Sequence, residues 1–139
     1  MTKTTEEMRV KRKCMFNMRA YMLFFTLYQR DILTDEHLVT IRKTFEKACK
    51  NADCKIKDLS KGPDYIYLCL DYEPKVIMSQ LVNTLKGISS RYLRQDHPDI
   101  LQHYYNGALW SPSYYISSNP IESIDVIKEE ITKKSSRTW

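Results

Sequence analysis

The stretch Cys54-Lys55-Ile56-Lys57-Asp58-Leu59-Ser60-Lys61-Gly62-Pro63-Asp64-Tyr65-Ile66-Tyr67-Leu68-Cys69-Leu70-Asp71 decides the fold. Its first part sets Ile56 among polar neighbours, Lys61-Gly62-Pro63-Asp64 interrupts any regular element, and Tyr65 to Asp71 is aromatic and aliphatic in the way of a buried strand. Two strands joined by a turn follow. On the N-terminal side, Thr34 and Asp35 offer N-cap chemistry, and Leu38, Ile41, Phe45 and Ala48 recur at steps of three and four, which predicts a helix ending near Asn51. On the C-terminal side, Pro74 sits near the start of a second helix, whose stripe Val76, Ile77, Leu81, Leu85, Ile88 and Leu93 runs towards Arg94.

Further outward, the bulky run Phe16 to Leu27 predicts a first strand, and an irregular aromatic segment follows His97-Pro98. A short strand is expected at Tyr114 to Ser117, then a terminal helix from about Pro120 to Lys134 with Ile121, Ile124, Ile127 and Ile131 on one side. The order β-α-β-β-α-β-α predicts an α+β domain with a ferredoxin-like antiparallel sheet, helices on one face and an extra C-terminal helix. Residues 16–139 make this single domain. Residues 1–15 form a polar N-terminal arm whose basic cluster Arg9, Lys11, Arg12 and Lys13 suits phosphate contact or simple solvation equally.

With 42% apolar and 28% charged residues, the 139-residue chain has the balance of a globular domain that needs no disulfides as staples. The longest apolar run, Ala20 to Leu27, is too short to span a bilayer, so a cytoplasmic location and no membrane partner are expected. Cys14, Cys49, Cys54 and Cys69 show no C-x-x-C spacing and read as reduced thiols, Cys69 as a buried one. The three histidines, His37, His97 and His103, form no sequence cluster, and surface or capping roles are expected. A net charge of +5 permits a polyanionic partner without requiring one.

The most specific string is Gly107-Ala108-Leu109-Trp110-Ser111-Pro112-Ser113-Tyr114-Tyr115, which resembles a G-x-L-W-S-P-S-Y-F segment. Upstream, Pro74-Lys75 and Leu81-Val82-Asn83-Thr84-Leu85-Lys86-Gly87-Ile88-Ser89-Ser90-Arg91 resemble a P-K…L-V-N-x-L-K-G-x-S-S-R helix. Both blocks are similar, in order and spacing, to the IS200-like single-tyrosine transposases of small bacterial and archaeal insertion sequences. The resemblance covers about residues 16 to 134 and implies a DNA-binding homodimer acting on hairpin or single-stranded DNA. In that family two histidines on one strand face hold a divalent metal, Mg or Mn, and a tyrosine on the C-terminal helix attacks the scissile phosphate, with a glutamine one turn later completing the metal site.

At the corresponding positions this chain departs from the family. The D-H-x-H-L string is Asp64-Tyr65-Ile66-Tyr67-Leu68, the attacking tyrosine is Glu130, and the glutamine is Lys134. A neutral phenol is a poor ligand for a hard divalent ion, so the resemblance implies lost metal ligands, no cofactor and no intact catalytic residue. A Gly-Gly hinge usual before the terminal helix is replaced by Ser117-Ser118-Asn119-Pro120, and proline restricts the backbone where glycine frees it.

Candidate DNA contacts are the basic cluster of the arm together with Lys86, Arg91 and Arg94 on the long helix, for which a solvated helix face is the equal alternative. Trp110 and Tyr114 belong to the best-matched block and read either as a loop near DNA or as core. The expected function is therefore a transposase-like DNA-binding protein without catalysis. The alternatives are an active single-strand DNA transposase or nuclease with a rearranged site, and a dimeric interaction module that binds no DNA.

Overall fold

Period-two alternation along the two innermost strands sorts their side chains onto two faces, and both faces are apolar. The computed structural model describes residues 9–11, 14–16, 18–103 and 108–138, with side chains from 18 to 102 and from 108 to 133. Strands β1 (Arg9–Lys11) and β2 (Cys14–Phe16) pair antiparallel as a small ribbon. The main body runs β3 (Arg19–Thr26), α1 (Asp35–Asn51), β4 (Cys54–Lys61), β5 (Tyr65–Tyr72), α2 (Met78–Asp96), β6 (Trp110–Ser117) and α3 (Ile124–Thr138). Its sheet has the order β4-β5-β3-β6 with every neighbouring pair antiparallel. Because β5 lies between β3 and β4, the unit is the split βαβ of the ferredoxin-like fold, as the element order predicts.

One face carries Ala20, Met22 and Phe24 of β3 and Ile66, Leu68 and Leu70 of β5, all buried. They pack against Ile41, Phe45 and Ala48 of α1 and Leu81, Val82, Leu85 and Leu93 of α2. Phe24 meets the edges of Phe45 and Trp110 at centroid distances of 6.1 and 6.3 Å, a T-shaped arrangement that the ring quadrupoles favour. On the other face Leu23 and Phe25 are buried beneath α3, which contributes Ile131 and the half-buried Ile124 and Ile127. The extra helix thus closes the face that the other two leave open.

Several boundaries differ from the sequence expectation, each for a local reason. α2 begins at Met78 rather than near Pro74, because the chain first turns there, with the Val76 N–H donating to the Glu73 carbonyl at 3.0 Å. β6 begins at Trp110 rather than Tyr114, since Trp110 pairs with Thr26 and the Leu27 N–H reaches the Leu109 carbonyl at 2.8 Å. Pro112 is accommodated because β6 is an edge strand. α3 begins at Ile124 rather than Pro120, where the Ser123 hydroxyl accepts the Val126 N–H at 3.3 Å and acts as the cap. The expected first strand is divided, β2 ending at Phe16 and β3 starting at Arg19. Arg9 and Lys11 of the basic arm lie in β1 with side chains outside the described set, and Arg12 and Lys13 lie outside the described residues.

Trp110 anchors this arrangement from the edge. It is 6% exposed, and its indole N–H donates to Ser89 Oγ at 3.0 Å, whose own hydroxyl donates to the Leu85 carbonyl at 2.7 Å. Replacing Trp110 by Ala should cost about 3–5 kcal/mol, and Trp110→Phe about 1 kcal/mol for the lost hydrogen bond. Urea denaturation of the three proteins would measure both, and a Trp110→Ala variant of unchanged midpoint would refute the core assignment.

Candidate functional site

Tyr65 and Tyr67 stand two residues apart on an inner strand, so their side chains share a face, and that face is the one covered by α3. Tyr67 is opposite Leu23, which is also opposite Tyr115 of β6, and Tyr65 is opposite Phe25. The result is a half-buried aromatic floor across three strands, with the Phe25 and Tyr65 rings 6.2 Å apart. The turn before β5 holds the Tyr65 ring from behind, because any Cβ on Gly62 would overlap it. Burial pushes the Tyr67 phenol up to about 12, with Cys69, Asp58 and Tyr21 adding to the same effect. A phenol in that range stays protonated at neutral pH, which makes it a poor ligand for a hard divalent ion.

α3 is fastened over this floor by polar contacts as well as by its isoleucines. The Gln29 amide donates to the Lys128 carbonyl at 3.2 Å and to Thr132 Oγ1 at 2.7 Å. Gln29 and its neighbour Tyr28 reach that position with φ of 53° and 60°, a left-handed backbone that non-glycine residues adopt rarely. Lys128 Nζ lies 2.6 Å from Oδ2 of Asp64, whose side chain is 1% exposed. Among the described residues no other group donates to either carboxylate oxygen, so the buried charge of Asp64 depends on Lys128 as its counter-ion.

Glu130 is placed elsewhere. It is exposed, pairs with Lys133 at 3.6 Å, and lines a cleft with Pro112, Tyr114, Tyr115 and Val126. Tyr67 lines a different cleft, with Ser60, Ile121, Glu122 and Asp125. The side chain of Lys134 lies outside the described set.

The cations and aromatics singled out in the sequence separate into two groups. Lys86 donates to the Ser111 carbonyl at 2.6 Å and lies 5.8 Å from the Tyr114 ring centroid, and burial lowers its ammonium below the usual lysine range. It joins α2 to β6 from within. Trp110 is core, and Tyr114 meets Phe24 edge-on at 6.4 Å. Arg91 and Arg94 are exposed on α2, the guanidinium of Arg91 over the Tyr92 ring at 5.2 Å.

Three polar features escape a reading of the sequence. Gln29 and Lys128 carry no local signal, since what distinguishes them is a contact between residues 99 apart. Asp64 reads as a turn residue, its burial being set by α3. His37 and His97, far apart in sequence, meet edge-to-face at 4.9 Å, with Asp99 2 residues beyond His97.

Residues 14–134 match the model of the family described as Transposase IS200 like. The chain is 25% identical over 119 residues, 84% of its length and 78% of the relative's, to the transposase for insertion sequence element IS200 of Salmonella typhimurium. It is 23% identical over 110 residues, 79% of each chain, to the ISDra2 transposase TnpA of Deinococcus radiodurans. Among solved structures, a candidate transposase from Deinococcus radiodurans R1 superposes with a TM-score of 0.79 at 24% identity, covering 91% of this chain and 97% of that one. The REP-associated tyrosine transposase bound to a REP hairpin superposes with a TM-score of 0.56 at 11% identity, over 88% of this chain and 67% of that one. These two likenesses are of fold.

The hold on α3 can be measured. Lys128→Met strands a buried carboxylate and should destabilise the protein by about 3 kcal/mol, whereas Asp64→Asn combined with Lys128→Met should recover much of that loss. Equal destabilisation by the single and the double variant in chemical denaturation would show that Asp64 does not depend on Lys128.

Proposed function

We propose, for a chain that belongs to the IS200-like transposase family, that it binds hairpin or single-stranded DNA as a homodimer and no longer cuts it. The observation that carries this reading is chemical. The positions that in the family supply two imidazoles, an attacking phenol and an amide are here Tyr65, Tyr67, Glu130 and Lys134.

The residues present do not fit a divalent ion. Tyr67 holds its proton into the alkaline range, and the one buried carboxylate beside the tyrosines, Asp64, is already neutralised by the Lys128 ammonium. Mg or Mn would have to displace that ammonium, and Glu122 and Asp125, the carboxylates that line the cleft with Tyr67, are exposed and form no cluster of ligand atoms with Asp64 among the described residues. Asn119-Pro120 ahead of α3, together with the Gln29 and Asp64 contacts, supports a helix held in place over the floor.

DNA binding does not need that chemistry. Phosphate contacts come from Arg91 and Arg94 on α2 and from the Arg9, Lys11, Arg12 and Lys13 cluster, while Lys86 is spent inside the fold and supports α2. Trp110 and Tyr114 act through packing, positioning β6 against α2. A binder that keeps recognition without cleavage would compete with an active transposase or regulate expression of the element.

Three measurements test the reading. Affinity for an imperfect DNA hairpin should fall steeply with salt, and Arg91→Ala with Arg94→Ala should weaken binding and flatten the slope by about one per lost phosphate contact. Incubation with hairpin DNA and Mg or Mn should give no covalent adduct on a denaturing gel. Tyr65→His with Tyr67→His should not restore cleavage, whereas adding Glu130→Tyr and Lys134→Gln rebuilds the family set. Metal-dependent cleavage by the unaltered protein would overturn the proposal, and absence of DNA affinity at low salt would leave only an interaction module.

A further inference from the structure

A capping box normally places Glu or Gln at the third helical position, where the side chain reaches back to the N-cap N–H. α1 opens on Thr34-Asp35-Glu36-His37, and a histidine fills that position. Both reciprocal bonds are made: the His37 N–H donates to Thr34 Oγ1 at 3.2 Å, and the Thr34 N–H donates to His37 Nδ1 at 3.1 Å. Nδ1 must therefore be bare, and the single proton of the neutral ring sits on Nε2, which faces Asp99 Oδ2 at 3.2 Å. The ring is 2% exposed, while Asp99 is 65% exposed.

The same ring is the centre of a junction. His97, the C-cap of α2, meets it edge-on at 4.9 Å and contacts Thr40 of α1 through Nε2 at 2.6 Å. The short helical turn Pro98–His103 then follows, its Ile100 fully buried and bonded to the His97 carbonyl at 3.0 Å. The ionisable groups facing His37 are Glu36 on its own helix, His97 at the end of α2 and Asp99 on the following turn.

We propose that His37 is a proton-sensitive pin: neutral, it joins the start of α1 to the end of α2 and the 98–103 turn, and protonation withdraws it. A second proton on the ring must go to Nδ1, where it points at the Thr34 N–H and replaces an acceptor by a donor. The capping bond is lost, and only the exposed Asp99 gains. Burial lowers the His37 imidazole below its ordinary range, with Asp99 pulling less strongly the other way. A lowered value in the folded state means that the unfolded chain binds the proton more readily. The stability supplied by the pin is whole above the ordinary imidazole range and is lost as the pH falls below it.

Three potential ligand atoms of His37, His97 and Asp99 do lie within 4.8 Å of one another. A metal on Nε2 of His37 would force the ring proton onto Nδ1, against the same Thr34 N–H, and a metal-bound histidine instead needs an acceptor there. The geometry selects a proton.

The experiment compares the wild-type protein with His37→Gln, which restores the ordinary capping-box residue: its amide oxygen accepts from Thr34, its NH2 donates to Asp99, and it does not titrate. Thermal unfolding would be followed from about pH 7.5 to pH 5. The wild type should lose stability relative to His37→Gln as the pH falls, and the ring signals of His37 in the wild-type NMR spectrum should titrate below the ordinary histidine range. Amide exchange at Thr34, Leu38 and Ile100 should lose protection over the same interval, after correction for the intrinsic pH dependence, while β5 keeps its own. Parallel pH curves for the two proteins, or a His37 ring titrating at the ordinary value or above, would overturn the pin. Stabilisation of the wild type but not of His37→Gln by zinc chloride would overturn it in favour of a metal site. Should His37→Gln fail to fold, the ring titration and exchange of the wild type decide alone.

Discussion

The antiparallel pairing of β3 with β5 is the constraint from which the rest of this structure follows. Seven consecutive residue pairs, from Arg19 with Asp71 to Phe25 with Tyr65, fix its register. A slip of one residue in β3 would turn Met22 and Phe24 from the α1–α2 side to the α3 side while Ile66 and Leu68 of β5 stayed in place, and the larger core would lose half of its sheet layer. The Arg19–Asp71 ion pair at 2.7 Å reinforces the open end of this ladder, with Asp71 almost wholly buried. At the other end, the Thr26 N–H donates to the Asp64 carbonyl at 2.9 Å and ties the hairpin turn to the end of β3.

The two faces set by that register are held in different ways. Towards α1 and α2 a dense apolar core dominates, and the hydrogen bonds there, Trp110 to Ser89 and Lys86 to the Ser111 carbonyl, join α2 to the edge strand β6. Towards α3 a thin apolar layer is supplemented by directional contacts: the Gln29 amide, and Lys128 against a buried carboxylate. Such contacts are costly to leave half-made, so they specify where α3 lies more strongly than they stabilise it. The strained backbone at Tyr28 and Gln29 is consistent with a segment shaped by what it must reach.

On the proposed function, this face is where cutting is lost. Replacing imidazole by phenol removes a ligand that is neutral and available at physiological pH and supplies one that keeps its proton. Replacing a phenol by Glu130 removes the attacking atom and adds a solvated charge. The scaffold accommodates phenols on the floor and a carboxylate on α3 because the floor is apolar and the outer helix surface is polar, so folding asks for neither imidazole at 65 and 67 nor a phenol at 130. Lys86, Trp110 and Tyr114, within the best-matched blocks, serve packing: they hold β6 against α2 and the core.

The order of the main elements and the family are legible in the chain alone. Those are properties of local periodicity and of residue identity, and need no knowledge of distant neighbours. The sequence left Trp110 and Tyr114 open between core and DNA, and left Lys86 open between phosphate contact and solvent, because an aromatic or a lysine suits either setting until its surroundings are known. Element starts shifted where capping at Ser123 or pairing at Trp110 overrode a proline signal. Only the tertiary structure decided that Asp64 is buried against Lys128, that Gln29 holds α3, and that His37 meets His97. Each joins residues brought near by the sheet and not by the chain, and burial, which governs whether a charge or a proton is tolerated, exists only once the elements have packed.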